Sequence, residues 1–314
     1  MVDYEITPRI LEFKEPAGTS RGVYTKRKIW IVTLTDKETG EQGFGECAPL
    51  PDLCPDPSCA FKLAVETAQW SLAAVKAGRT PWQLFDTPFA NGKSGIPING
   101  LVWMGDYEKM RQRVIEKVNA GFRCIKFKIG AIDWKNEVQL IHDLRQDFPA
   151  KDMEIRLDAN GAFTPEEALG KLEELARYDI HSIEQPIRAG QWKAMAEICR
   201  NSPLSIALDE ELIQTENQES MLDEIMPQYI ILKPSLHGAF SGCERWIRHA
   251  EERGIDWWAT SALESNVGLN AIAQWVSTHD TKGRPQGLGT GQLFVENVNG
   301  PKVAIRDAQV WCEK

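Results

Sequence analysis

The pattern of apolar and polar positions changes near residue 95 of the chain. Before that point, 28–35 (KIWIVTLT) alternates as a half-buried strand does, and 42–47 returns after a short turn. Residues 58–76 then place apolar side chains at helical spacing, and Ser58 is the expected N-cap. These segments predict a small unit at the N-terminus that contains both strands and a helix.

Two segments of this N-terminal part are rich in turn-forming residues. They are 16–22 (PAGTSRG) and 48–57 (APLPDLCPDP), and we expect both to be irregular loops. Long irregular loops in a compact domain are usually either functional or disordered, and composition alone leaves both interpretations open.

After residue 95, short apolar strands alternate regularly with polar-faced helices. The predicted strand and helix pairs are 96–102 with 106–120, 124–129 with 134–148, 154–157 with 165–178, 182–183 with 191–200, 205–208 with 217–226, 229–232 with 240–253, and 256–260 with 267–278, before a last short strand at 286–288. Such alternation predicts a parallel sheet. Seven units and a final strand within about 200 residues favour a closed barrel over an open sheet. No G-x-G-x-x-G motif follows the first strand, which weakens the dinucleotide-binding alternative.

Composition and charge narrow the class of protein. A chain of 314 residues suffices for one barrel with an accessory domain, or for two ordinary domains. The net charge of -9 argues against a nucleic-acid partner, since no basic surplus exists to neutralise phosphates. No apolar run is long enough to span a bilayer, and the N-terminus is charged where a signal peptide needs apolar residues. The seven cysteines form no C-x-x-C pair, so we expect reduced thiols in a cytoplasmic enzyme.

Charged side chains recur where the predicted barrel strands end. They are Lys126 and Lys128 on the second strand, then Asp158, Glu184, Asp209 and Lys233 on the four strands that follow. From Lys128 onward, successive members are 24 to 30 residues apart, which is about one strand and helix. One such charge is often only a helix cap or a solvated loop residue. Their coincidence on successive strands predicts a ring of ionisable groups at the mouth of the barrel, where barrel enzymes place their chemistry.

This ring predicts a metal-assisted proton abstraction. Converging carboxylates repel one another unless a cation lies between them, and Mg²⁺ prefers oxygen ligands. A carboxylate substrate bound to that ion would have its α-proton acidified. The base would be Lys128, because the neighbouring charge of Lys126 and the metal disfavour a second ammonium. Lys233 lies on the opposite side of the ion.

The motifs of the ring resemble those of the enolase superfamily, and within it the muconate-lactonising subgroup. The signatures Lys-x-Lys, Asp-x-Asn, Glu-x-Pro, Asp-Glu and Lys-Pro occur here in the family's order along the barrel. The resemblance implies Mg²⁺ ligands at Asp158, Glu184 and Asp209, with Mn²⁺ able to substitute. It implies an acid/base pair at Lys128 and Lys233. Supporting positions next to the ligands would be Asn160 and Glu210.

The resemblance also implies the domain organisation. It extends over nearly the whole chain and includes an N-terminal α+β capping domain at 1–94, completed by 293–314, over a modified (β/α)8-type barrel, (β/α)7β, at 95–292. Two loops of the capping domain would close over a small carboxylate substrate. The sequence leaves the oligomeric state open.

Within the subgroup, the loops resemble those of the o-succinylbenzoate synthases. Substrate contacts would then come from Arg21 in the segment TSRGV, from Ser261 and Ser265 after the seventh barrel strand, and from Gly289 after the eighth. The implied reaction is a Mg²⁺-dependent dehydration through an enediolate, in menaquinone synthesis. Glu264 departs from the small polar residue expected at its position.

Three alternatives stay open from the sequence. An N-acylamino acid racemase or dipeptide epimerase would use Lys128 and Lys233 as two opposed bases, although no Asp-x-Asp of the epimerase kind follows Gln286. A Schiff-base lyase would use Lys233 as a nucleophile. A non-catalytic barrel would not need the intact ring of ionisable residues.

Overall fold

The N-terminal part of the chain forms an antiparallel sheet covered by one helix. The computed structural model describes residues 1–19, 22–103, 105–130, 133–215 and 217–313. The sheet consists of β1 (Val2–Thr19), β2 (Gly22–Asp36) and β3 (Gln42–Cys47), in that order. Helix α1 (Ser58–Lys76) follows. The pattern of apolar positions predicted β3 and α1 with these same bounds.

Two predictions for this region were wrong. The segment 16–22 is not an irregular loop in its described part, because β1 continues to Thr19 and β2 begins at Gly22. The two strands are paired with each other up to Thr19 and Gly22. Ser58 is not the N-cap of α1, since that position is Pro57. The Ser58 amide and hydroxyl instead donate to the carboxylate of Asp56.

A second, larger sheet is parallel throughout and has seven strands. Its strands are β5 (Gly100–Val102), β6 (Cys124–Lys128), β7 (Glu154–Asp158), β8 (Ser182–Glu184), β9 (Ser205–Leu208), β10 (Tyr229–Leu232) and β11 (Asp256–Ala259), and they neighbour one another in chain order. The helices between and after them are α2 (Tyr107–Asn119), α3 (Trp134–Asp147), α4 (Pro165–Leu175), α5 (Trp192–Asn201), α6 (Gln218–Ile225), α7 (Ala239–Glu251) and α8 (Asn266–Val276). This strand and helix order is the predicted one. All the carboxyl ends of the strands therefore meet at one edge of the sheet.

The predicted strand 96–102 is divided between two sheets. Its first residues form β4 (Ile96–Pro97), which pairs with β13 (Gln309–Glu313), and β12 (Lys302–Arg306) completes this third sheet. The Ile98 amide still donates to Ala308, whereas the next amide, of Asn99, donates to Gln286. Because the backbone changes partner between these two residues, a continuous apolar run in the sequence becomes two short strands.

The predicted last strand, 286–288, takes the form of two single bridges. Gln286 pairs with Ile98 and Gly287 pairs with Thr260, both in parallel orientation. The Gln286 amide donates to Pro97 at 2.8 Å, and the Gly287 amide donates to Ala259 at 2.8 Å. These two residues thus connect backbone next to β5 with backbone at the end of β11.

Helix α8 is buried along its whole length. Its Asn270 and Gln274 side chains both donate to the carbonyl of Trp82, in the segment that follows α1. Among the described residues, no helix is long and apolar enough to cross a membrane. All seven cysteines are free thiols.

Candidate active site

The charged residues predicted to form a ring lie together at the carboxyl ends of the parallel strands. Lys128 and Asp158 end β6 and β7 in direct register, and Asp158 is in register with Glu184 at the end of β8. Asp209 and Lys233 directly follow β9 and β10. One edge of the sheet therefore brings together side chains that are far apart in the sequence.

Three carboxylates of this edge converge and are almost fully buried. Oxygen atoms of Asp158, Glu184 and Asp209 lie within 4.8 Å of one another. Burial, together with repulsion from the two aspartates, raises the pKa of Glu184 to about 7, against the opposing charge of Lys126. This cluster is costly to bury without positive charge, which makes it a candidate site for a cation.

The hydrogen bonding of the cluster fits a bound divalent ion. Within the described part of the chain, Glu184 Oε1 and Asp209 Oδ1 are buried and accept no hydrogen bond. Buried oxygen atoms are rarely left in that state unless a water or an ion completes them. A hard cation such as Mg²⁺ prefers carboxylate oxygen ligands, so these residues have the donor set that it needs.

Lys126 lies among the carboxylates and is itself buried. Its ammonium pairs with Glu184 and, at 3.0 Å, with Asp158. Burial opposes the charge of this ammonium, but the three carboxylates outweigh burial and raise the pKa of Lys126. Conversely, burial raises the pKa of Asp158, and the neighbouring lysines more than offset it, so that this pKa is lowered.

Lys128 is held by a short chain of polar contacts. Its Nζ lies 3.0 Å from Asp158 Oδ2 and donates to Asn160 Oδ1 at 2.7 Å. The amide nitrogen of the Asn160 side chain donates in turn to Glu210 at 3.0 Å. Asn160 adopts a positive φ of 45°. Its backbone N–H donates to Asp158 Oδ1 at 3.0 Å. The two predicted supporting residues therefore connect Lys128 to the far side of the carboxylate cluster.

Lys233 approaches the carboxylates from the other side and pairs with Asp209. Its backbone amide donates to Nδ1 of His237, at 3.0 Å, one turn further along the chain. His237 is buried, and burial lowers its pKa to about 3, so the ring is neutral. The sequence suggested no role for His237. Its position four residues after Lys233 was the only available signal.

A cavity opens above these groups and is walled mainly by apolar side chains. Its polar floor includes Lys126, Lys128, Asp158 and Lys233. The apolar wall consists of residues from the N-terminal part and from the parallel sheet and its loops: Tyr24, Leu50, Leu53, Leu101, Trp103, Ala262 and Leu263. The arrangement can accommodate an apolar or aromatic ring with a carboxylate directed at the floor.

The four predicted substrate contacts have different positions. Ser261 and Gly289 line the cavity, and the Ser261 hydroxyl hydrogen-bonds that of Thr290. Ser265, at the start of α8, does not line the cavity within the described residues. Its amide and hydroxyl both donate to Glu46 on β3 instead. Arg21 lies outside the described residues.

Comparison with known proteins agrees with this geometry. The family described as "Enolase C-terminal domain-like" matches residues 109–313, which is well over half of the chain. The chain belongs to the enolase superfamily. A curated member of this superfamily, the o-succinylbenzoate synthase of Desulfotalea psychrophila, is 41% identical and is matched over 92% of this chain and 93% of its own length.

Two solved structures match nearly the whole length of this chain. The crystal structure of MenC from Desulfotalea psychrophila has a TM-score of 0.83 at 36% identity, over 99% of both chains. The substrate-liganded L-Ala-D/L-Glu epimerase from Bacillus subtilis has a TM-score of 0.87 over 99% of this chain and 96% of that one, at 18% identity. The second likeness shows the shared fold alone.

Proposed function

We propose that this chain is an o-succinylbenzoate synthase, a carbon–oxygen lyase of menaquinone synthesis. It would remove water from 2-succinyl-6-hydroxy-2,4-cyclohexadiene-1-carboxylate, a small carboxylate substrate. One observation carries the proposal: three buried carboxylates converge at an apolar cavity, and Asp158 of this cluster lines the cavity floor together with Lys128 and Lys233. A relative that has this activity is 41% identical over most of the chain.

We propose that Asp158, Glu184 and Asp209 hold Mg²⁺, with Mn²⁺ able to substitute. The support is their mutual approach and the two buried oxygen atoms that accept no hydrogen bond within the described residues. When bound, the ion would supply positive charge beside the substrate carboxylate and so favour loss of the adjacent proton.

We propose that Lys128 moves the proton. Its neutral amine takes the proton from the carbon next to the carboxylate, and the electron pair of the broken C–H bond forms the new ring double bond. The C–O bond to the hydroxyl breaks, and Lys128 returns its proton to that hydroxyl, so one water leaves. Lys126 is proposed to supply a further positive charge beside Lys128, while Asn160 and Glu210 fix the position of the Lys128 side chain.

Lys233 is proposed to remain cationic throughout. Although burial opposes its charge, Asp209 and Glu210 raise the pKa of Lys233, which supports that role. Its ammonium then stabilises the negative charge that develops on the substrate. Ser261 and Gly289 are proposed to contact polar groups of the substrate, and Arg21 keeps the contact that the family resemblance implies.

We propose further that the parallel sheet closes into a (β/α)7β barrel. The hydrogen bonds of Gln286 and Gly287 to backbone near β5 and β11 support this closure. The predicted division into a capping domain at 1–94 with 293–314, and a barrel at 95–292, is retained as part of the proposal. Tyr24, Leu50 and Leu53 support it, because they bring the N-terminal part to the cavity.

The test is an assay of the purified chain with Mg²⁺ on the cyclohexadiene substrate. Lys128→Ala should abolish turnover, because the variant lacks the amine that takes and returns the proton. The exposed Lys135 on α3 gives the matched control, and Lys135→Ala should retain full activity. Turnover by Lys128→Ala would overturn the assignment of the base, and a wild-type chain without dehydration activity would overturn the proposed function.

Racemisation of an N-acylamino acid is a second candidate function. Lys128 and Lys233 approach the carboxylates from different strands, on either side of the cluster, and a two-base racemase needs such an arrangement. Exchange of the α-proton of an N-succinyl amino acid with deuterated solvent, together with racemisation, would establish this activity. A Schiff-base lyase would instead be trapped by borohydride and would tolerate a chelator.

A further inference from the structure

The guanidinium of Arg27 joins the two halves of the cavity wall. Arg27 lies on β2 and is only 4% exposed. It donates to the carbonyls of Ala48, at 2.7 Å, and Pro49, which belong to the segment that follows β3. It also donates to the carbonyls of Leu263, at 3.2 Å, and Ala262, at 3.3 Å, in the loop that follows β11. One side chain thus holds four carbonyls from two distant segments.

Both of these segments contribute side chains to the cavity. Ala262 and Leu263 line it directly, and so does Leu50, which follows the residues that Arg27 holds. Leu50 and Ala262 also pack together in one apolar cluster with Leu236. The separation of the two walls is therefore fixed by hydrogen bonds whose donor lies behind the walls. Arg27 itself is not part of the cavity lining within the described residues.

The charge of Arg27 is attracted by a buried acidic residue, Glu264, in the loop that follows β11. Glu264 is fully buried and accepts from the Ala262 amide and from the Ser235 hydroxyl, each at 2.6 Å. Ser235 lies two residues after Lys233, so Glu264 connects the loop that follows β10 to the loop that follows β11. This contact gives a physical reason for an acidic residue where a small polar one was expected.

We propose that Arg27 is a positioning residue that, with Glu264 as its counter-charge, sets the width of the cavity and thereby the affinity for the cyclic substrate. The inference rests on the proposed function for its substrate. In a cavity that encloses most of its ligand, a displaced wall loses contacts with that ligand and so weakens its binding. The carboxylates and lysines of the floor lie on strands that Arg27 does not touch, so substrate binding is the step that depends on it.

The experiment compares Arg27→Lys with a control variant that loosens the same two parts of the chain elsewhere. Lysine keeps the charge but has no planar fork, so it does not reach carbonyls on both sides. The control is Glu66→Gln, because Glu66 on α1 accepts from the amide and hydroxyl of Ser241 on α7, and neither residue lines the cavity. Both variants weaken contacts between the N-terminal part and the parallel sheet, but only one of them acts on the cavity walls.

We expect Arg27→Lys to raise KM and the Kd of the product, o-succinylbenzoate, by about tenfold, with kcat within about threefold of wild type. Glu66→Gln should lower Tm and leave KM within about twofold of wild type. Hydrogen exchange provides a readout that does not depend on turnover. In Arg27→Lys, the backbone amides of 48–54 and of 260–265 should exchange faster than in the wild-type chain. In Glu66→Gln, their exchange rates should equal those of the wild-type chain.

An Arg27→Lys variant that loses stability with unchanged KM, product Kd and exchange in these segments would reduce Arg27 to a structural role and overturn the proposal. If that variant does not fold, Glu264→Gln decides in its place. Glutamine keeps the shape of Glu264 but removes its charge and one of the two oxygen atoms that accept from Ala262 and Ser235, so KM should rise in the same direction. An unchanged KM for Glu264→Gln would then overturn the proposal. Absence of turnover by the wild-type chain would count against the proposed function instead.

Discussion

At the scale of single residues, the carboxylate cluster shows how sequence spacing translates into a site. Lys128, Asp158 and Glu184 end neighbouring strands in direct register, so a regular interval in the sequence predicted a shared position in space. Arg27 had no such signal, because the carbonyl of Leu263 to which it donates lies 236 residues further along the chain. Contacts that join distant segments without a repeating interval are not predictable from one sequence.

Asp209→Asn should separate metal binding from folding. Because Asp209 Oδ1 accepts no hydrogen bond within the described residues, we expect the variant to fold but to lose most of its affinity for Mg²⁺. With Mg²⁺ at about 100 times Kd, the wild-type chain should gain about 2.7 kcal/mol in its free energy of unfolding.

Thermal unfolding of both proteins with Mg²⁺ and with a chelator measures this difference. Asp256→Asn provides the control, because Asp256 pairs with Lys282 and Arg284 at the opposite end of β11. It should keep the full response to Mg²⁺. An equal response in Asp209→Asn would contradict the assignment of Asp209 as a ligand.

At the scale of elements, prediction succeeded where an amphipathic pattern was strong. The bounds of α1 followed from apolar spacing alone, because one face of the helix packs on β3. Strand β1 was not predicted, since most of its residues before Leu11 are exposed and their alternation carries no signal. The division of 96–102 depends on a change of hydrogen-bond partner that its apolar run does not encode.

The close contact between β3 and α1 predicts that one methyl group added to β3 lowers the stability of the chain strongly. A Cβ atom at Gly45 would lie 1.9 Å from the carbonyl oxygen of Ala64, so the helix would have to move. Gly45→Ala should therefore cost about 3 kcal/mol of stability. Gly170→Ala is the matched control, because nothing lies within 4 Å of its added Cβ in α4, and it should stabilise by about 0.5–1 kcal/mol. Urea unfolding of both variants measures the contrast, and equal stabilities would contradict the close approach.

The first turn of α8 predicts a pH dependence of stability. Glu46 accepts from the amides of Ser265 and Gly268, yet burial, with the charge of Glu264, raises its pKa from 4.5 to about 7. The folded chain then keeps this proton between pH 4.5 and about 7, whereas the unfolded chain releases it. The free energy of unfolding should therefore fall by about 3 kcal/mol as pH rises through this window.

Urea unfolding of the wild-type chain and of Glu46→Gln at pH 5 and pH 8 isolates the contribution of Glu46. Other titrating groups act equally in both proteins, so the wild-type chain should lose more stability than the variant between the two pH values. Parallel losses would show that Glu46 is ionised throughout this range in the folded chain.

At the scale of the whole molecule, the order of strands and helices was predictable and the connections between sheets were not. The seven parallel strands follow chain order, as their alternation with helices required. The pairing of β13 with β4 joins residues more than 200 positions apart, and neither strand is long enough to carry a signal. The apolar wall of the cavity was missed for a similar reason, since Leu50 and Trp103 have no motif around them.

The burial of α8 predicts that the parallel sheet does not fold alone. A fragment of residues 95–292 lacks Trp82, whose carbonyl accepts from two α8 side chains, and it also lacks β3 beside the helix. Its apolar helix would be exposed, so we expect the fragment to aggregate or to lack fixed packing. Near-ultraviolet circular dichroism of the fragment measures this, with the full chain as the control. A native-like spectrum would show that the parallel sheet is an independent folding unit.

The long separation between Glu46 and Ser265 in the sequence affects when the N-terminal sheet can finish folding during synthesis. The two residues are 219 positions apart, and ribosomes add about 5–20 residues per second. For roughly 10–40 seconds of synthesis, the emerging N-terminal sheet carries a carboxyl group at Glu46 and a cation at Arg27 whose partners in residues 262–268 do not yet exist. We expect these two groups to stay hydrated during that interval, so that the sheet reaches its final packing only after residues 262–268 have been synthesised.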